Sequence, residues 1–301
     1  MSPTTYHGTW PAFLTPFDAQ GKPSLSVIDQ LSELFVSQKL GGLYVLGSTG
    51  QWPLLSLEER FAVAERVVAT VKKRVPVIVH VGAVTTQDAE ALARHAAKIG
   101  ADGVSAVAPI YYSFSSDMVF EHYRRIGEAS SLPLYVYHLS SVNQLRIAPK
   151  DYAERLLSIP HVAGMKITDG DLFQFGLIHT HTRGKLMLFS GADEVLCHAA
   201  LSGAAAAIGS FYNIFGVECQ KARATFVAGN IESGLKFMQG FQQMISAVLQ
   251  SGSIWTFFRA AMQRRFQIDI GQTRAPLGIC DKPWETAEVD RLIRLVTDAT
   301  P

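Results

Sequence analysis

Short apolar runs alternate along this chain with longer stretches of helical period. The apolar runs are 9–14, 42–46, 75–81, 103–108, 133–137, 162–167, 185–189 and 204–208. Most are apolar on consecutive residues, as expected of parallel strands covered on both faces. Between them lie stretches whose apolar residues recur every three to four positions, predicting helices at 25–40, 56–73, 86–99, 117–130, 149–157, 171–179, 192–201 and 217–227. On the first helix Leu31, Leu34, Phe35 and Val36 share a face, and on the third Ala91, Leu92, His95 and Ala96 do. Ser56 followed by Glu59 has the form of a capping box, Thr86 opens the third helix, and Gly100 stops it as a glycine just past a helix end does.

Eight strand–helix pairs in succession predict a closed parallel (β/α)8 barrel. An open doubly wound sheet is the rival, but no G-x-G-x-x-G turn follows an early strand. After residue 228 the periodicity is helical only, at 230–250, 254–266 and 285–297. With no linker before them, these helices are expected to extend the same domain. The expected division is a barrel over 1–228 and a helical extension over 229–301.

Composition narrows the function. The 301 residues are 48% hydrophobic and 18% charged, with a net charge of +1. Such a balance offers no basic field for nucleic acid, so a small-molecule substrate is the expectation. No apolar run reaches the ~20 residues of a membrane span, and the start lacks a basic-then-apolar leader pattern. Cys197, Cys219 and Cys280 form no C-x-x-C pair and are odd in number. They suit a reducing cytoplasm better than a disulfide framework.

In such a barrel the reactive groups gather at the carboxyl ends of the strands. Lys166 ends the sixth strand in Val162-Ala-Gly-Met-Lys-Ile-Thr-Asp. Burial disfavours a charged amine, and a neutral amine attacks a keto group to form an imine. The alternative is a lysine reaching out of a strand end into solvent. Tyr137 ends the neighbouring fifth strand in Leu134-Tyr-Val-Tyr-His, where a phenol could move protons. It could also be a core tyrosine, as Tyr135 is expected to be. Gly47-Ser-Thr-Gly50 follows the second strand and offers hydroxyls and amides to a carboxylate, or is a plain turn. Gly191-Ala-Asp-Glu194 after the seventh strand could hold sugar hydroxyls or open a helix, where acids are favoured. Tyr111-Tyr112 after the fourth strand could bind or pack. His179-Thr-His181 could supply metal ligands, but it ends a predicted helix on the far side, where surface histidines are the better reading.

Together these residues resemble the N-acetylneuraminate lyase / dihydrodipicolinate synthase family over essentially the full chain. Pro11-Ala-Phe-Leu-Thr-Pro-Phe is similar to its first strand, Gly47-Ser-Thr-Gly50 to its carboxylate loop, Tyr137 to its catalytic tyrosine and Gly164-Met-Lys-Ile to its Schiff-base lysine. Within it the sialic acid lyases are closer. His80-Val-Gly-Ala, Ala106-Val-Ala-Pro-Ile-Tyr-Tyr, Tyr137-His-Leu, Asp169-Gly-Asp-Leu-Phe-Gln-Phe-Gly and Gly209-Ser-Phe-Tyr-Asn all resemble that branch, as does Ser48-Thr49 where the synthases have Thr-Thr. Val142 stands where the synthases carry an arginine, which argues against dihydrodipicolinate synthesis.

The resemblance implies a metal-free, cofactor-free aldol cleavage to pyruvate and an aldehyde such as N-acetylmannosamine. Lys166 would form the imine and Tyr137 would shuttle the proton. Ser48 and Thr49 would bind the carboxylate, and Thr168, Gly191, Asp193, Glu194 and Ser210 would line the sugar end. Tyr111 matches a tyrosine that reaches across a subunit interface in the synthases, and the family habit is a homotetramer of paired dimers. Three positions depart from the pattern: Gln51 for a glutamate, Ser140 for a proline and Gln144 for a glycine. They are expected to alter the distal pocket and so leave the aldehyde open. A 2-keto-3-deoxy sugar acid aldolase or dehydratase, or a keto-acid-binding sensor barrel, remain as alternatives.

Overall fold

The computed structural model describes residues 6–142 and 147–301; Gln144 lies outside them. Eight parallel strands form one sheet in the order β1-β8-β7-β6-β5-β4-β3-β2. They are β1 (Thr9–Pro11), β2 (Leu43–Val45), β3 (Val77–His80), β4 (Gly103–Val107), β5 (Leu134–Leu139), β6 (Val162–Thr168), β7 (Met187–Ser190) and β8 (Ala206–Gly209). A parallel bridge between Ala12 and Tyr44 closes the ring, supported by the Phe13 N–H donating to the Tyr44 carbonyl at 2.9 Å. The fold is a (β/α)8 barrel with added C-terminal helices.

The barrel helices are α1 (Leu25–Ser37), α2 (Leu57–Val71), α3 (Thr86–Lys98), α4 (Ser116–Ser130), α5 (Pro149–Leu157), α6 (Leu172–Thr182), α7 (Leu196–Leu201) and α8 (Tyr212–Val227). Both halves of the Ser56/Glu59 capping box form at the start of α2. Gly100, at φ +83°, closes α3 with paired bonds from its own N–H to Ala97 and from the Ala101 N–H to Ala96. The cap at the other end is Thr85, not Thr86: its side chain accepts from the Asp88 N–H. The buried face of α3 is Ala89, Leu92, Ala93 and Ala96, so the stripe is rotated from the expected one and His95 lies only half-buried.

Alternation along the strands separates two packing layers. Val104, Ala106, Leu134, Val136, Met165, Ile167 and Leu188 face outward into the helix ring. Trp10, Tyr44, Ile78, Tyr135, Phe189, Ala206 and Ile208 fill the barrel with Tyr6. The α9 (Ile231–Ser251), α10 (Ile254–Phe266) and α11 (Thr286–Thr297) helices follow. Phe241 of α9 packs with Phe211, Phe215 and its own neighbour Phe237, and Phe257 of α10 packs with Phe211. No helix among the described residues is long and apolar enough to cross a membrane.

Candidate active site

The site begins with a register shift. Leu134 pairs with Val162, but after an irregularity Tyr135 pairs with Gly164 and Tyr137 with Lys166. An unbroken register would set Tyr137 opposite Met165. Because neighbours in register face the same way, the extra residue turns the lysine inward beside the tyrosine and sends Met165 outward.

Lys166 is 4% exposed. Its Nζ lies 4.1 Å from the centre of the Tyr137 ring and 4.6 Å from that of Tyr44, so two aromatic faces flank the amine. The Tyr44 hydroxyl donates to Ser105 Oγ at 3.0 Å, which fixes that ring. Burial pushes the Tyr137 phenol upward, but the Lys166 charge and hydrogen bonds with Thr168, Ser48 and Lys166 outweigh it and hold the phenol below its ordinary pKa. A phenol so placed both accepts and returns a proton more readily near neutrality.

The remaining candidates form a rim around this pair. Thr168 Oγ1 donates to the Gly191 carbonyl at 3.2 Å. Thr49 and Ser210 share a hydroxyl–hydroxyl hydrogen bond of 2.6 Å, joining the loops after β2 and β8. Ser48 is exposed at the mouth, next to buried Thr49. Asp193 is turned under this rim rather than into it: it is buried, and its Oδ2 accepts the Ser210 N–H at 3.0 Å. Burial above all, aided by Glu194, pushes its carboxyl up to about 7, against the pull of the Ser210 and Phe211 amides and Lys166. Glu194 is exposed, its carbonyl held by Gln242 Nε2 at 2.7 Å. Tyr111 stands apart, 89% exposed, with its ring 5.1 Å from that of Tyr112.

Two departures from the family pattern are placed by their contacts. Buried Gln51 turns from the mouth, its Oε1 accepting the Arg274 N–H at 3.0 Å. The Ser140 hydroxyl donates to the Thr168 carbonyl at 3.4 Å, two residues beyond Lys166. The His179 ring packs against Gly203, and among the described residues no three His, Cys, Asp or Glu side chains gather as a metal site.

Tyr44 and His80 pack edge-on against the Tyr137 ring, and Trp52, itself under the Arg60 guanidinium, packs against His80; none of the four carries a functional signal in its spacing. Tyr44 sits inside an apolar run and Arg60 on a charged helix, so neither stands out by spacing. His80 was visible only as part of a resembling segment.

Residues 5–294 match the dihydrodipicolinate synthetase family. The chain is 33% identical over 282 residues to N-acetylneuraminate lyase of Escherichia coli strain SMS-3-5, covering 93% of this chain and 94% of that one. It is similar in structure to Proteus mirabilis N-acetylneuraminate lyase, with a TM-score of 0.87, 28% identity and coverage of 98% and 99%. A Ruminococcus gnavus sialic acid aldolase superposes with a TM-score of 0.91 over 98% of both chains, and at 24% identity that likeness concerns the fold.

Proposed function

The chain belongs to the dihydrodipicolinate synthetase family, and from that premise we propose that it is a Schiff-base carbon–carbon lyase releasing pyruvate from a sialic-acid-like keto acid. The observation that carries this is the buried Lys166 amine against Tyr137, a pair the register shift creates. Lys166 attacks the C2 carbonyl of the open-chain substrate; Tyr137 gives a proton to the departing hydroxyl, water leaves, and an iminium and a Tyr137 phenolate result. The iminium accepts the electron pair of the C3–C4 bond as it breaks, while the C4 hydroxyl proton passes to Tyr137. An aldehyde departs and an enamine remains. Protonation at C3 and hydrolysis release pyruvate and restore the amine. The lysine is itself the electron sink, so this sequence invokes neither metal nor organic cofactor.

Ser48, Thr49 and their amides are assigned to the carboxylate. Thr168, Gly191, Asp193, Glu194 and Ser210 are assigned to the distal end, Asp193 through the Ser210 turn it supports. The aldehyde expected from the relatives named above is N-acetylmannosamine. Ser140, a donor in place of a proline, favours keeping a 2-keto-3-deoxy sugar acid as a second substrate class. Residues 1–228 and 229–301 are taken as one working unit, in a cytoplasmic homotetramer whose exposed Tyr111 meets a neighbouring subunit.

The test is borohydride reduction with pyruvate, followed by intact mass and peptide mapping. An adduct on Lys166 supports the imine, and a screen of aldehydes beginning with N-acetylmannosamine then assigns the substrate. Folded protein without an adduct overturns the reading in favour of a keto-acid-binding barrel.

A further inference from the structure

The β3–β4 ladder ends in an unusual way. The Val81 N–H still reaches the Ser105 carbonyl at 2.7 Å, but the Val107 N–H donates to the His80 side chain, at Nε2, over 3.2 Å. An imidazole therefore stands in the wall of the barrel where a backbone carbonyl would serve. Gly82 makes room for it: an added Cβ would come within 2.8 Å of the His80 ring and 3.0 Å of the Val107 nitrogen. The same strand end is gripped from outside by Arg60 of α2. Its guanidinium donates to the carbonyls of His80 at 2.9 Å and Gly82 at 3.0 Å, and stacks 5.1 Å from the Trp52 ring.

Both groups are buried, Arg60 at 2% exposure and His80 at none. His80 accepts at Nε2, so its ring is neutral. Burial, with Arg60 and Lys166 as nearby charges, keeps it that way by holding its pKa well below the usual value. The ring meets Tyr137 edge-on at 6.1 Å, Trp52 at 5.3 Å and Tyr44 at 6.3 Å. Val107, held by this ring, is the register partner of Tyr137, which is the register partner of Lys166.

We propose that His80, clamped by Arg60, is a positioning residue for the Lys166–Tyr137 pair. It touches neither substrate nor the reacting atoms. It sets the β3–β4 spacing at the mouth and supports the Tyr137 ring from the side away from Lys166's own strand. A neutral imidazole does this beside a reactive amine without adding a third positive charge to Arg60 and Lys166. The inference rests on the imine chemistry proposed above.

The test compares wild type with His80→Leu and His80→Gln. Leucine fills space but offers no acceptor, whereas the glutamine amide oxygen can reach the Val107 N–H. His80→Leu is expected to lose kcat and the rate of borohydride trapping by on the order of 10²-fold, with KM little changed, because misplacement by about 1 Å carries that cost. His80→Gln is expected to recover most of the loss. If His80→Leu does not fold, Arg60→Met removes both carbonyl contacts from outside the barrel and is expected to show the same split. A folded His80→Leu or Arg60→Met with wild-type kcat and trapping rate overturns the assignment, as does a His80→Gln no better than leucine. Failure of wild type to trap pyruvate instead overturns the imine reading itself.

Discussion

Lys166 and Tyr137 face each other across β5 and β6 only because β6 carries one extra residue, Ala163, opposite the step from Leu134 to Tyr135. Removing the amine should therefore remove the chemistry without removing the fold. Lys166→Ala is expected to abolish turnover and borohydride trapping. Tyr137→Phe keeps the ring and should lower kcat by roughly 10²–10⁴-fold, the usual worth of a positioned proton carrier. Intact mass after reduction and steady-state pyruvate release measure the two effects. Turnover by Lys166→Ala would sink the mechanism.

Gly191 explains a different constraint. A Cβ there would lie 3.0 Å from Lys166 Cε and 3.0 Å from the Ile167 carbonyl oxygen, and would overlap Thr168 Oγ1. Gly191→Ala is expected to cost about 1–3 kcal/mol of stability by overpacking and to depress kcat by displacing the lysine. Adding Thr168→Ala removes the worst overlap and should restore stability in part. Thermal melts and trapping rates on the single and double variants check this. Wild-type activity in the single variant would show the contact to be harmless.

Most of the frame was legible because each strand is a short consecutive apolar run closed by a turn, and each helix carries a 3.6-residue stripe. The ends of α5 at Pro149 and Leu157, and of α10 at Ile254 and Phe266, fall where the pattern put them. The stripe of α3 came out rotated because alanines dominate it: Ala89 and Ala93 bury as readily as Ala91, and only packing decides among them. Lys166 and Tyr137 stood out as polar groups ending apolar runs, although β6 and β5 each continue two residues further, to Thr168 and Leu139. Arg60 and His80 did not, since a buried arginine bonded to carbonyls looks, in sequence, like any helix-surface arginine. The β5–β6 irregularity was equally hidden, because register is a relation between strands.

Asp193 should make stability depend on pH. Its folded pKa of about 7 lies above the usual carboxylate value, so between the two the folded state holds more protons than the unfolded. Stability at this group is then greatest below the unfolded pKa and falls as pH rises toward about 7, at up to ~1.4 kcal/mol per unit. Among the described residues Oδ1 is buried without a hydrogen-bond partner, which penalises the charged form more than the neutral one. Asp193→Asn keeps an acceptor for the Ser210 N–H but does not titrate. Urea midpoints at pH 5 and pH 8 should differ more in wild type than in the variant, and an equal or larger difference in the variant would count against this account.

Ser140 and Gln51 separate pocket shape from scaffold. The Ser140 hydroxyl ties the end of β5 to the Thr168 carbonyl beside Lys166, whereas Gln51 accepts from the Arg274 backbone. Arg274 is itself held by Glu59 at 2.6 and 2.7 Å and by the Leu54 carbonyl at 2.8 Å, fastening the segment between α10 and α11 onto the barrel. Ser140→Pro deletes the donor at the mouth and is expected to shift the ratio of kcat/KM between N-acetylmannosamine and unsubstituted aldoses by several-fold in the synthetic direction. Such a change corresponds to about 1 kcal/mol, the scale of one hydrogen bond. Gln51→Glu offers the same acceptor to the Arg274 N–H and should leave that ratio unchanged while moving the melting temperature. Arg274→Ala should lower the melting temperature further, since it removes the ion pair with Glu59 and the bond to the Leu54 carbonyl. If Gln51→Glu changes the aldehyde preference and Ser140→Pro does not, the distal pocket is governed from the α2 side rather than from the β5–β6 rim.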